Sequence, residues 1–337
     1  MNKILVIAPS WVGDCMLMQP MLQRLKQRHP HARIDILAPP WTEKLLRLMP
    51  EVNDVIVNPF PHGALQLGKR RALGKSLRAA HYDQAIVTPN SLKSALVPFF
   101  AGIPLRTGFV GESRYGLLND ARKLDKTVLP FMVERFAQLA EARGEALQRP
   151  VPNPHLDVRN EQRQQTLRKL GLTQDQPIAV FCPGAEYGPA KRWPEAYYAD
   201  LAKALHQRGY AVWLLGSGKD KPVGDEIVRL SGDTCRNLCG ATDLADAIAL
   251  LACADVVVSN DSGLMHLAAA LDRPMLAIFG SSSPQFTPPL SDAARVVQLD
   301  LPCIPCFKRE CPLGHFNCMK QLPPERILPL LPIRAVE

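Results

Sequence analysis

Val256-Val257-Val258-Ser259 runs directly into Asn260-Asp261-Ser262-Gly263-Leu264-Met265-His266-Leu267-Ala268-Ala269-Ala270. An apolar run of strand length, followed by polar residues crowding a helix start, is what a buried parallel strand feeding a helix looks like. Asp261 and Ser262 are residue types that cap helices, and Gly263 lets a phosphate approach the backbone. His266 then falls near the first turn, within reach of the same ligand. The stretch reads equally as an ordinary capped, buried helix.

The same alternation extends outward in both directions. Strand-length apolar runs occur at 178–182, 211–215 and 275–279, separated by helical stretches at 194–208 and 244–253. In the first half the runs are 3–8, 34–37, 55–57 and 84–87, with helical patterning at 17–28 and 41–49. Strand and helix alternate throughout, so the fold class is α/β, with Rossmann-like, doubly wound parallel sheets covered on both faces. A chain of 337 residues suits two domains of ~150 residues each better than one core. Gln148-Arg149-Pro150-Val151-Pro152-Asn153-Pro154 carries three prolines, favours an extended segment and reads as the linker. The expected domains are therefore 1–155 and 156–337 about a central cleft, with a last helix able to pack back on the first. In such sheets ligands collect beyond the carboxyl ends of the strands, which directs attention to the loops after Ala8, Cys182, Leu215, Ser259 and Phe279.

Composition narrows the function. With 47% apolar and 21% charged residues the chain has a globular composition, and no window carries the ~18 uninterrupted apolar residues of a spanning helix. The N-terminal apolar run meets Asp14 too soon for a signal peptide, and nine cysteines, an odd number, fit a reducing compartment. The expected location is the cytoplasm. The formal charge of +8 is uneven: residues 1–155 hold 21 Lys/Arg against 12 Asp/Glu, and residues 156–337 hold 19 against 20. A basic first half suits nucleic acid, anionic lipid, a phosphorylated substrate or plain solvent. Aromatic content of 6% argues against stacking on nucleic acid bases.

Three loops carry candidate chemistry. Pro9-Ser10-Trp11-Val12-Gly13-Asp14 places a carboxylate on a strand-to-helix turn that Gly13 lets the backbone make tightly; Asp14 reads as a cleft-facing acid or as a helix cap. Pro183-Gly184-Ala185-Glu186-Tyr187-Gly188-Pro189-Ala190-Lys191-Arg192-Trp193-Pro194 is a glycine-containing loop with Lys191 near a helix start, suited to a diphosphate or simply a polar surface loop. Leu215-Gly216-Ser217-Gly218 lacks the third glycine of a dinucleotide fingerprint, because Lys221 occupies it, so a dehydrogenase is rejected. No P-loop and no Asp-x-Asp occurs, so charge stabilisation falls to Lys191 and helix N-termini rather than to a metal beside the diphosphate. Cys303-x2-Cys306-x4-Cys311-x6-Cys318, with His315 inside it, reads as free thiols, a labile disulfide or a closed, structural zinc site.

The segments around Asp14, Lys191 and His266 together resemble the ADP-heptose:lipopolysaccharide heptosyltransferase family. So do the stretch from Pro89-Asn90-Ser91-Leu92-Lys93 to Gly102-Ile103-Pro104, then Arg106-Thr107-Gly108, and Arg114-Tyr115-Gly116-Leu117-Leu118-Asn119-Asp120. The resemblance runs from the first residues to about Leu290. From about Asp300 the chain departs, having the cysteine cluster where other members carry a different insert. What it implies is a GT-B fold and inverting, cofactor-free transfer of L-glycero-D-manno-heptose from ADP-heptose to the first heptose on Kdo-lipid A. Asp14 becomes the general base and Lys191 the charge at the leaving ADP. Gly13, Gly184, Glu186, Tyr187, Gly216, Asp261, Ser262, Gly263, Leu264 and His266 surround the donor. Lys69, Arg70, Arg71, Asn90, Lys93, Arg106, Arg114 and Arg122 become candidates for the anionic, lipid-linked acceptor. The same resemblance implies transient attachment to the cytoplasmic face of the inner membrane and no nucleic acid partner. Two other expectations stay open from the residues: a GT-B sugar-nucleotide epimerase, and a non-catalytic, basic nucleotide- or nucleic-acid-binding protein.

Overall fold

The computed structural model describes residues 2–61 and 63–332. Two compact units divide the chain, Met1–Pro154 and His155–Glu337. In the first, β1 (Lys3–Ile7), β2 (Arg33–Ala38), β3 (Asp54–Val57), β4 (Gln84–Val87), β5 (Leu105–Phe109) and β6 (Asp120–Arg122) form one sheet in the order β3-β2-β1-β4-β5-β6. In the second, β7 (Ile178–Cys182), β8 (Ala211–Leu214), β9 (Cys235–Asn237), β10 (Val256–Asn260), β11 (Met275–Phe279) and β12 (Ala294–Gln298) run in the order β12-β11-β10-β7-β8-β9. All these pairings are parallel. The two orders are the same arrangement, third-second-first-fourth-fifth-sixth, so the doubly wound α/β class holds for each unit.

The central strands form because they are apolar on both faces: Ile4, Leu5 and Val6, and likewise Val256, Val257 and Val258, are fully buried. Leu5, Ile7, Ala85 and Val87 pack with Val97 and Leu118 in the first core, and Phe181, Trp193, Tyr198, Leu214 and Ile278 anchor the second. In each sheet the order reverses between the first strand and the fourth, opening a crevice at their carboxyl ends.

Several expectations shift. The first helix is Val12–Arg28 and so starts before 17; Pro20 sits inside it without ending it, and eleven of its residues are buried. The helix expected at 41–49 is a 3-10 turn, Pro40–Thr42, and a single α-turn, Glu43–Leu46. Strands β5, β6, β9 and β12 carried no expectation; β6, β9 and β12 are short or partly exposed and lack a continuous apolar run. The proline-rich stretch is not a free tether within its own unit, since buried Arg24 donates to the carbonyls of Gln148 and Pro150. The last helix among the described residues is the turn Pro324–Ile327, and Ile327 and Leu331 lie in the second unit's own core.

Candidate active site

The crevice of the second unit is built from the ends of β7 and β10. Asn260, fully buried at the end of β10, ties them together. Its amide donates to the Pro183 carbonyl at 2.7 Å, and its oxygen accepts from the Trp193 N–H and the Tyr198 hydroxyl, both at 3.1 Å. One residue later Asp261, 5% exposed, accepts from Lys191 Nζ at 2.5 Å and from the Ser282 hydroxyl. Asp261 is therefore not the cap: Ser262 is the N-cap of the helix Gly263–Ala270, and Asp261 instead fixes Lys191. The Lys191 ammonium also lies 5.1 Å from the Tyr187 ring centroid. His266, one turn into the helix and buried, has its pKa pushed down to about 4, by desolvation first, with Asp261 opposing and Lys191 reinforcing. Its imidazole is neutral at physiological pH. Leu264 sits in the same first turn, partly exposed.

The two glycines assigned to the donor serve a neighbour first. A Cβ on Gly184 would stand 2.4 Å from Cγ of Asp220, and one on Gly216 would stand 2.8 Å from its Cβ. Asp220, 7% exposed, accepts from the N–H and hydroxyl of Ser217 at 2.9 and 2.8 Å, folding the Gly216-Ser217-Gly218 turn onto itself. Glu186 pairs with Lys219 at 2.5 Å on an exposed surface, where such pairs contribute little. The Tyr187 hydroxyl donates to the Phe307 carbonyl at 2.7 Å, and the Arg309 guanidinium lies 5.3 Å from its ring. Asn260, Asp220, Ser282 and Arg309 carried no expectation. Ser282 had a signal, lying just past a strand end in the loop after Phe279; Arg309 had none, because the contact joins distant segments.

The first unit's crevice lies at the ends of β1 and β4. Thr88, just past β4, donates its hydroxyl to the Ile7 carbonyl at 2.7 Å, holding the ends of β1 and β4 together. Asp14 is half-buried in the first turn of the helix Val12–Arg28, whose N-cap is Trp11, so Asp14 is not the cap. Gly13 is helical rather than part of a strained turn. Trp11 and Trp41 flank this loop, 46% and 50% exposed, and the Trp41 indole N–H donates to the Ser10 carbonyl at 2.8 Å. Trp41 is a further residue that sequence reasoning passed over.

Half of the candidate acceptor contacts are occupied elsewhere. Arg114, 1% exposed, donates to the carbonyls of Phe109, Pro89 and Ser91, to Ser94 Oγ and to Asn90 Oδ1, and burial lowers its pKa to about 10. Arg70 is buried on the carbonyls of Ala64, Leu65 and Lys93 and over the Phe60 ring, and Arg106 holds those of Ile103 and Leu117. Arg122 pairs with Asp120 at 2.7 Å and holds the Gln138 carbonyl. These four guanidiniums close loops, because their planar donor forks match several carbonyls at once. Lys69, Arg71 and Asn90 are exposed and Lys93 is half-buried.

Cys303, Cys306, Cys311 and Cys318 are free thiols lining one small cavity with His315, Ala190 and Ser281. Burial first, then the neighbouring Cys303, Cys311 and Cys306, hold the Cys318 thiol above its ordinary range. Among the described residues no three His, Cys, Asp or Glu side chains are already grouped as a ligand set. No helix among them is long and apolar enough to cross a membrane.

Known proteins place this geometry. The chain is 50% identical over 335 residues, 97% of its length and 96% of the relative's, to lipopolysaccharide heptosyltransferase 2 of Escherichia coli (strain K12). It is 51% identical over 308 residues, 88% of each chain, to lipooligosaccharide heptosyltransferase 2 of Haemophilus influenzae. The solved structure of E. coli ADP-heptose lps heptosyltransferase II superposes with a TM-score of 0.88 at 48% identity, over 97% of this chain and 96% of that one. Residues 70–317 match the family described as Glycosyltransferase family 9 (heptosyltransferase). The transferase expectation therefore stands over the epimerase and the binding protein, and the chain belongs to glycosyltransferase family 9, the heptosyltransferases.

Proposed function

We propose that this glycosyltransferase moves L-glycero-D-manno-heptose from ADP-heptose to the first heptose of a Kdo-lipid A inner core, with inversion and without a cofactor. The observation that carries the donor half is the Lys191–Asp261–Ser282 cluster beside the N-terminus of Gly263–Ala270. Lys191 spends one N–H on Asp261 and keeps its charge for the diphosphate, while the helix N-terminal N–H groups add donors. Both interactions strengthen as ADP departs, which lowers the barrier rather than merely binding substrate. Neutral His266 offers a hydrogen bond without adding charge.

Asp14 takes the proton of the acceptor hydroxyl as that oxygen attacks the anomeric carbon and ADP leaves from the opposite face. The acceptor lies on the first unit, where Trp11 and Trp41 offer faces for sugar rings and Lys69, Arg71 and Lys93 offer charge to its carboxylates and phosphates. The same cations hold the protein transiently on the anionic cytoplasmic face of the inner membrane, with no nucleic acid partner.

The test is ADP release from ADP-heptose with an inner-core acceptor already bearing one heptose, with brief EDTA present and acceptor-free controls. Acceptor-dependent release that survives EDTA is expected. Release without acceptor, or none with any such acceptor, overturns this assignment of substrates.

A further inference from the structure

Between the end of β12 at Gln298 and the helix Asn317–Lys320 the chain forms neither helix nor strand. A loop of that length has few internal hydrogen bonds and needs another source of order. Three of the four clustered cysteines lie in it and the fourth, Cys318, opens the next helix turn. All four line the same cavity of about 20 Å³, room for one atom-sized occupant. His315 is committed to the turn instead, its Nδ1 accepting from the Asn317 N–H at 2.9 Å.

We propose that Cys303, Cys306, Cys311 and Cys318 bind one thiophilic divalent cation, zinc or ferrous iron, as a structural staple for the donor loop. Four soft thiolates in sequence-local positions select these metals and leave no open coordination position, so the cation takes no part in transfer. The sulfurs line the cavity wall without meeting at a point. Binding would therefore require the side chains to turn toward the cavity that all four already line.

The staple matters because the same loop grips the donor loop. The Arg309 carbonyl accepts from Ala190 N–H at 3.0 Å, the Phe307 carbonyl accepts the Tyr187 hydroxyl, and the Phe307 N–H donates to Ser281 at 2.7 Å. A Cβ on Gly188 would stand 2.5 Å from the Arg309 oxygen. Ala190, which lines the metal cavity, directly precedes Lys191.

The full chain, purified reduced and without added metal, should carry about one zinc or iron per chain by plasma mass spectrometry, which also says which metal it is. Exchange with cobalt(II) should give sulfur-to-metal charge-transfer bands and tetrahedral d–d bands. Cys311→Ser and Cys318→Ser should each lower metal content at least about tenfold, and the metal-stripped chain should bind ADP several-fold more weakly. Should a variant fail to fold, the unaltered protein's metal ratio and cobalt spectrum decide the matter independently of transferase activity. A metal-free chain with four freely reactive thiols, a native disulfide among them, or metal retained by Cys303→Ser/Cys306→Ser overturns the proposal.

Discussion

The two crevices share a topology and differ in wiring. In the second unit, β7 and β10 end in buried polar groups that satisfy one another: Asn260 holds Pro183, Trp193 and Tyr198, and Asp261 holds Lys191 and Ser282. In the first, buried Thr88 and Arg114 hold the backbone at the ends of β1 and β4, while the side chains around them, Asp14, Asn90, Trp11 and Trp41, are exposed or half-buried. A prewired crevice suits a ligand of fixed charge and shape, such as a nucleotide diphosphate, because its dipoles need not reorganise when charge develops. A crevice lined by exposed or half-buried side chains suits a large, lipid-linked sugar whose contacts form on arrival. On the proposed assignment of donor and acceptor, the same sheet order serves two styles of recognition, and substitutions should separate them.

The largest effect should come from Asp14→Asn, which removes the proposed base and keeps the shape: turnover should fall by ~10²–10⁴ while calorimetric ADP affinity stays unchanged. Equal losses in ADP affinity would assign Asp14 to the donor instead. Next, Lys191→Met leaves Asp261 buried without its cation, costing about 3–5 kcal/mol in urea unfolding as well as most activity. Adding Asp261→Asn should restore most of that stability and none of the turnover; restored turnover would show that Lys191 only neutralises Asp261.

His266 gives a pH signature. Its folded pKa of about 4 lies below the ordinary histidine value of 6.5, so the unfolded chain binds more protons between these limits, and stability is lost as pH falls through that window. The loss should reach about 2 kcal/mol at pH 5 relative to pH 7, and His266→Gln should flatten that part of the urea-midpoint profile. The smallest effect belongs to the first unit's surface. Lys69→Ala and Arg71→Ala should raise the acceptor KM about 2–5-fold, less in high salt, with no change in melting. Arg114→Ala, by contrast, should lower the melting temperature whether or not acceptor is present.

The elements legible in sequence are those whose burial is two-sided. Runs such as 256–259 and 275–279 announce themselves because both faces of the strand are apolar. Strand β12, with Arg295 and Val296 exposed, carries no such mark. The candidates Asp14, Lys191 and His266 stood out because each lies in the loop or first helix turn that follows a buried strand, β1, β7 and β10. Arginines misled because charge predicts exposure, whereas Arg70 and Arg114 spend theirs on backbone carbonyls of segments far along the chain. Asp220 stayed invisible for the opposite reason: its partner space is defined by what Gly184 and Gly216 lack, and an absent side chain has no pattern.

Those glycines have a consequence for engineering. Gly184 and Gly216 are each reserved by Asp220, and Gly188 by the Arg309 carbonyl, with a φ of 154° besides. A saturation library across 183–194, screened for activity on altered nucleotide sugars, should return glycine at 184 and 188 almost without exception, although neither needs to touch the nucleotide. Diversity is better spent at position 186, where the exposed Glu186 meets only the exposed Lys219, than at the buried Ala185 or at Tyr187, whose hydroxyl and ring are already engaged.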